Sequence, residues 1–330
     1  MKILVTGAAG FIGSHIVEGL AKQGLPLRAA HRPGEVFHSA DSDFIIDGLD
    51  LEIFPLDIRD RAAVFRALAG VQILFHADYL CSFASRDKAL LYAINQQGTQ
   101  HVMEAALHHG VEKIVYTSGI EVLAPTPKHE AATETDGVAL EELKTHFEKS
   151  RYLAEREVLR LKAKGLPVIL VHPTVCLGSG DREPSPFGNY LRRYLQGKAR
   201  FYLDTGFNLV DVVDVAKGHL LAAKRGRIGA RYILGHRNVY MLELLRNLQA
   251  MTGIPAPRTA LPMGMAALGN TLLRGLGGKR NFLPNPILKR LRRPLFFDST
   301  LAREELGMPQ SNVWEALRRY LIDLKKNFGV

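Results

Sequence analysis

Cysteine is nearly missing: Cys81 and Cys176 are the only two in 330 residues. So few and so isolated, they exclude a disulfide framework and a cysteine-based zinc site, and they point to a reducing compartment. No metal centre is expected. Long apolar runs are missing too. No stretch reaches the about 18 uninterrupted apolar residues of a membrane span, and the apolar start Met1-Lys2-Ile3-Leu4-Val5 is broken by Gly7, Gly10 and Gly13 before it reaches export length. A cytoplasmic protein is expected. Repeats and low-complexity blocks are also lacking, and a hydrophobic fraction of 47% with 23% charged residues describes an ordinary globular chain with a sizeable core.

Acid is scarce relative to base, which leaves a net charge of +10. That excess draws phosphates, anionic lipid or acidic ligands. Arg274, Lys279, Arg280, Lys289, Arg290, Arg292 and Arg293 follow one another with no acidic residue between them. A solvated basic face accounts for such a run. With Met263, Met265, Leu268, Leu272, Leu273 and Leu276 beside it, the stretch also suits peripheral contact with an anionic membrane, at the inner face of the membrane for a cytoplasmic protein. Nucleic acid is not an expected partner, because the basic residues lack aromatic interleaving and a recognition helix. The sequence is compatible with a homodimer.

Short apolar runs bounded by turn residues predict strands over Lys2–Thr6, Pro26–His31, Leu51–Leu56, Gln72–His76, Lys113–Thr117 and Pro167–His172. Helical spacing occupies Ser14–Gln23, Asp60–Ala69, Tyr92–His109 and Leu140–Lys164. Such alternation predicts an α/β fold, a Rossmann-type doubly wound parallel sheet covered on both faces. After about residue 175 prolines break the pattern into shorter pieces. A cofactor-binding domain over 1–175 and a smaller C-terminal substrate lobe over 176–330, with elements interleaved, follow from this, and the ligand cleft lies between them.

Thr6-Gly7-Ala8-Ala9-Gly10-Phe11-Ile12-Gly13 sits directly after the first strand and directly before the first helix. Glycine lets the turn tighten and the backbone approach a pyrophosphate, while the helix N-terminus offers N–H groups and a positive dipole. Gly7, Gly10, Phe11, Ile12 and Gly13 are therefore cofactor-binding candidates. At the end of the second strand, where an acid would select NAD, the chain has His31-Arg32-Pro33. With no carboxylate there to repel a 2′-phosphate and a guanidinium able to pair with it, Arg32 favours NADP over NAD, although NAD remains usable.

The three-residue glycine spacing resembles the extended short-chain dehydrogenase/reductase family. Asp57, Asn95 with Gly98-Thr99, Tyr116-Thr117-Ser118 and His172-Pro173-Thr174 fall where that family has counterparts. Asp204 to Asp211, Asp214 to His219 and Arg227 to Gly235 are most similar to its dihydroflavonol 4-reductase-like members and the hopanoid-associated sugar epimerase group. The resemblance implies an NAD(P)-dependent oxidoreductase or epimerase acting on a small organic, isoprenoid- or sugar-linked, substrate. It also implies cofactor contacts from Asp57, Ile58, His76, Asn95, Arg151 and Pro173.

The same resemblance exposes three departures. Family members use a serine or threonine after the fifth strand and a tyrosine and a lysine one helical turn apart; aligned on Ser150-Arg151 and Ala154-Glu155, those positions hold Gly119, Phe147 and Arg151. Phenylalanine carries no exchangeable proton, and arginine stays charged. On a continuous helix, Lys144 and Ser150 share the face of Phe147 and become substitute donors, as do the hydroxyls of Thr117 and Ser118. The His-x-Ala-Ala run of the family is shortened here to Phe75-His76-Ala77-Asp78-Tyr79. A catalytically impaired NADP(H)-binding protein, serving as sensor or assembly partner, is the rival reading.

Overall fold

The computed structural model describes residues 2–38, 50–124, 130–182, 185–261, 288 and 291–329. The strands β1 (Ile3–Thr6), β2 (Leu27–His31), β3 (Leu51–Pro55), β4 (Ile73–His76), β5 (Lys113–Thr117) and β6 (Val168–Pro173) lie within one residue of the expected boundaries. Beyond them come β7 (Val175–Leu177), β8 (Phe201–Tyr202), β9 (Gly206–Asp211), β10 (Arg231–Leu234), β11 (Arg237–Tyr240) and β12 (Thr259–Ala260). Seven strands make one parallel sheet in the order β10-β6-β5-β4-β1-β2-β3. The switch in winding direction falls between β1 and β4, so a crevice opens beyond the carboxyl ends of those two strands. Its outermost strand, β10, comes from the second half of the chain and pairs Arg231 with Leu170.

Alternation along the strands divides the core. Ile3 and Val5 of β1, with Phe75, Val115 and Ile169, face α1 (Phe11–Ala21), where they pack on Ile16, Val17 and Leu20. Leu4, Leu74, Ile114 and Tyr116 face the other way, against Val64, Val102 and Val158. Those three residues belong to α2 (Arg61–Leu68), α4 (Thr99–His108) and α5 (His146–Lys162), preceded in part by the short α3 (Lys88–Leu91). Among the described residues the further helices are α6 (Pro186–Leu195), α7 (Val212–Arg225), α8 (Met241–Thr252) and α9 (Val313–Phe328). α7 joins α1 on its face of the sheet. A separate core of Tyr194, Leu209, Leu245, Leu317 and Tyr320 ties α6, α8 and α9 to the three-stranded sheet β11-β9-β7.

Two helical expectations are corrected. Leu140–Lys164 is not one helix: a single 3₁₀ turn covers Leu140–Glu142, and α5 begins at His146. Thr145 accepts from the Glu148 N–H while the Glu148 carboxylate reaches back to the Thr145 N–H, a capping box that fixes the start of the helix. Tyr92–His109 opens as a π-helical turn over Tyr92–Gly98 before becoming regular. Among the described residues no helix is long and apolar enough to cross a membrane, and no cluster of His, Cys, Asp and Glu could hold a metal ion. Met263 to Lys279, with Arg280, Lys289 and Arg290, lies outside the described residues; Arg292 and Arg293 are exposed.

Candidate active site

The glycine turn stands at the β1 end of the crevice. Gly7 has φ +71, a left-handed conformation that side chains rarely adopt, and a Cβ there would come within 2.7 Å of the backbone of Ala77 and Asp78. At Gly13 a Cβ would come within 2.8 Å of the Gly7 carbonyl carbon. The Gly10 N–H donates back to the Gly7 carbonyl at 3.0 Å, which closes the turn. No side chain caps the first turn of α1. The turn therefore presents backbone alone toward a ligand, as phosphate binding requires. Phe11 and Ile12 open the helix, and Phe11 stacks on Tyr320 of α9 at 6.2 Å.

At the neighbouring end of β2, Arg32 reaches across the turn. Its Nε donates to Asp78 at 3.0 Å and its Nη2 to the Tyr79 carbonyl at 3.1 Å; the Glu35 carboxylate lies 3.4 Å from Nε and also accepts from the Arg32 N–H. The expectation that no carboxylate stands near Arg32 is thereby corrected. Glu35 comes from the turn after β2 and Asp78 from the segment after β4, so the strand-end residues alone could not reveal them. Burial pushes the Asp78 carboxyl up to about 6, against the pull of Arg32. Asp57, after β3, is held by Arg59 at 2.6 Å, which keeps its carboxyl below the usual range.

Several expected contacts are committed inside the protein. His76 is fully buried between Thr6 Oγ1, 2.6 Å from Nδ1, and Thr99 Oγ1, 3.0 Å from Nε2; burial drives its pKa down to about 3. Neither ring nitrogen is left for a ligand. Ile58 is buried beneath Gly98, where a Cβ would come within 2.6 Å of its side chain. Pro173 closes β6 opposite Leu234. Asn95, carried by the π turn, brackets Leu80: its Oδ1 accepts from the Leu80 N–H at 2.7 Å, and its Nδ2 donates to the Leu80 carbonyl at 3.0 Å and to Ser150 Oγ at 2.9 Å. It joins the loop after β4 to α5.

The three departures meet at the end of β5. Gly119 follows that strand, and the Glu121 carboxylate occupies the place of its missing side chain, with Oε1 within 2.6 Å of where a Cβ would stand. The same oxygen accepts from Arg151 Nε at 3.0 Å. Arg151 is 1% exposed; its Nη2 donates to the Thr117 carbonyl at 2.6 Å, and its Nη1 finds no protein acceptor among the described residues. Its guanidinium lies over the Tyr79 ring at 4.4 Å. Phe147 packs on Phe83 at 5.3 Å and near Tyr79 at 6.4 Å.

The substitute hydroxyls are occupied. Ser150 donates to the Phe147 carbonyl at 2.8 Å. Thr117 pairs with His219, 2.9 Å away, and Ser118 donates to Glu155, which also holds Arg231. Lys144 is not on the helix, because Thr145 caps α5 after it; its ammonium donates to the Glu141 carbonyl at 2.7 Å. Sequence reasoning missed Tyr79 and Glu121. Tyr79 closes the shortened run after β4, but only folding shows that it abuts Arg151. Glu121, two residues beyond Gly119, offered no signal.

The profile of the NAD dependent epimerase/dehydratase family matches residues 3–235. A Synechocystis protein named as a dihydroflavonol 4-reductase is 33% identical over 321 residues, covering 95% of this chain and 91% of its own. Sterol demethylase protein B of Methylococcus capsulatus is 31% identical over 317 residues, covering 93% of each. The crystal structure of gox2253 superposes with a TM-score of 0.86 at 34% identity, over 99% of this chain and 98% of that one. The chain belongs to the NAD-dependent epimerase/dehydratase family, the extended short-chain dehydrogenases/reductases.

Proposed function

We propose that this chain is an NADP(H)-using oxidoreductase or epimerase that acts on a small, largely apolar carbonyl or alcohol without a tyrosine at position 147 of α5. The observation that carries the reading is Arg151: a buried cation whose Nη1 lacks a protein acceptor among the described residues, at the position where the family binds the nicotinamide ribose. A buried guanidinium N–H is costly to leave without an acceptor, and a ribose hydroxyl is a fitting one. The residues present suit such a cofactor. Side chains at Gly7 or Gly13 would fill the turn, the first turn of α1 is free of side-chain caps, and Arg32 stands beside the turn for a 2′-phosphate. When bound, the cofactor supplies or accepts a hydride.

Tyr79, Phe83 and Phe147 give the crevice a wall of ring faces, which favours an apolar ring or alkyl frame over a charged one. The two curated relatives described above carry the words dihydroflavonol and sterol in their names, which fits that class and the isoprenoid-linked chemistry expected from sequence. A panel of sterol-like alcohols, flavanone-like ketones and nucleotide sugars, followed by NADPH absorbance, tests the reading. Turnover confined to apolar substrates supports it. Turnover of nucleotide sugars alone overturns the substrate class. Cofactor binding without turnover on any substrate favours the rival, a cofactor-holding sensor or assembly partner, for which the protonless ring of Phe147 argues.

A further inference from the structure

Hydride transfer to a carbonyl must be balanced by one proton, and position 147 has none to give. Thr117, Ser118 and Ser150 are committed to protein partners, and Lys144 lies outside the helix. Two tyrosines lie against the Arg151 guanidinium: Tyr116 of β5 is 0% exposed and shut inside the core, whereas Tyr79, from the other wall of the crevice, is partly exposed and also adjoins Phe147.

We propose that Tyr79 is the catalytic acid and base of this chain. Its ring lies under the Arg151 guanidinium at 4.4 Å and beside Phe147 at 6.4 Å, so it adjoins both residues that replace the family's pair. Its hydroxyl makes no hydrogen bond to the described residues; part of the residue reaches solvent, although burial of the phenol itself pushes its pKa up. The backbone on both sides is pinned. Arg32 holds the Tyr79 carbonyl at 3.1 Å, and Asn95 holds the N–H and carbonyl of Leu80 at 2.7 and 3.0 Å. Asn95 also donates to Ser150, which ties the loop to α5. Such anchoring is what a proton donor needs in order to stay within reach of a substrate oxygen.

In the reducing direction the carbonyl carbon gains a hydride and the carbonyl oxygen takes the Tyr79 proton. The phenol O–H bond breaks, the product O–H bond forms, and the phenolate is left beneath Arg151 until water returns a proton. In the oxidising direction each change reverses. The charged and titratable groups around the phenol are Arg151, Glu121, Cys81 and Cys176. Burial and the carboxylate hold the phenol in its protonated form, and Arg151 opposes them. Arg151 acts as the positioning residue, and Glu121 holds it in place.

The proposal rests on the oxidoreductase reading, and the test separates the two. Calorimetric titration with NADPH comes first, on the full chain and on Tyr79→Phe, which keeps the ring and therefore the packing. Affinities within about twofold of each other are expected. Absence of binding by either protein would refute the oxidoreductase reading itself. Turnover is measured next: Tyr79→Phe should lower kcat by about 10²–10⁴ with KM little changed, and Tyr79→Phe/Phe147→Tyr should recover part of the loss. Ultraviolet difference titration supplies a readout independent of activity. With oxidised cofactor bound, the wild type should show one tyrosinate titrating at lower pH than without it, and Tyr79→Phe should lack that signal. Turnover by Tyr79→Phe within about threefold of wild type, or a wild type that binds cofactor but turns nothing over, or identical titrations of the two proteins, overturns the assignment of Tyr79.

Discussion

Restoring the family's serine at position 119 should harm this protein. Gly119 has extended backbone, φ −157 and ψ 173, so a serine there meets no conformational strain. It meets Glu121 instead, whose Oε1 lies 2.6 Å from the new Cβ position and is bound to Arg151 Nε. The carboxylate must move, and a guanidinium that is 1% exposed then loses its counter-charge while its Nη1 already lacks a protein acceptor among the described residues. Breaking a buried pair from one side costs about 3–5 kcal/mol. Glu121 is itself 15% exposed, which places the loss near the lower end, about 3 kcal/mol, or a melting shift of about 6 °C for a chain of this size. The assay is urea unfolding of Gly119→Ser, Glu121→Ala and the double variant. Once Glu121 is trimmed the serine has nothing to displace, so the double variant should be no less stable than Glu121→Ala, a coupling of about 3 kcal/mol. Additive losses, or a Gly119→Ser protein as stable as wild type, would refute the reasoning.

Acid should unfold the chain through its neutral buried histidines. His76 and His219 are held down to about 3 and about 4 by burial, so the stability they confer is fully present above 6.5 and is lost as pH falls toward those values. Asp78, raised to about 6, works the opposite way by taking up a proton in the folded state. At about 1.4 kcal/mol per pKa unit, the net loss between pH 6.5 and 4.5 is on the order of 3 kcal/mol, and Asp78→Asn, lacking the offset, should lose about 2 kcal/mol more; parallel pH profiles from urea melts would contradict this. Asn95→Ala strips the Leu80 N–H of its acceptor and should cost about 2–4 kcal/mol by chemical denaturation, with a loss below about 1 kcal/mol counting against the bracket described. Calorimetry should show NADPH bound about one to two decades more tightly than NADH, a preference removed by Arg32→Ala and raised about twofold to threefold by Glu35→Gln; preference unchanged in Arg32→Ala would rule out the 2′-phosphate contact.

What could be read from sequence was the frame. Runs such as Lys113–Thr117 are apolar on both faces because helices cover both sides of the sheet, and their length alone marks them as strands. The glycine turn is legible because its requirement is local: a left-handed Gly7 and a Gly13 packed against it within seven residues of chain. The start of α5 was legible too, in Thr145-x-x-Glu148, but periodicity carried the expected helix back to Leu140 past that cap. The site was harder because its partners come from distant segments. Glu121 stands in for a side chain missing two residues away, while Tyr79 and Arg151 meet across 72 positions, and neither relation leaves a spacing pattern.

The central claim, that the turn and Arg151 still hold a nicotinamide dinucleotide although the family's proton donor is gone, is tested most directly by titrating NADPH into the wild type beside Gly13→Val. The valine side chain must enter space already filled by the Gly7 carbonyl. The account predicts one equivalent bound by the wild type and binding weakened by about 100-fold or more in Gly13→Val, with folding retained by circular dichroism. A wild type that binds no NADPH and no NADH, or a Gly13→Val protein that binds as tightly, would contradict it.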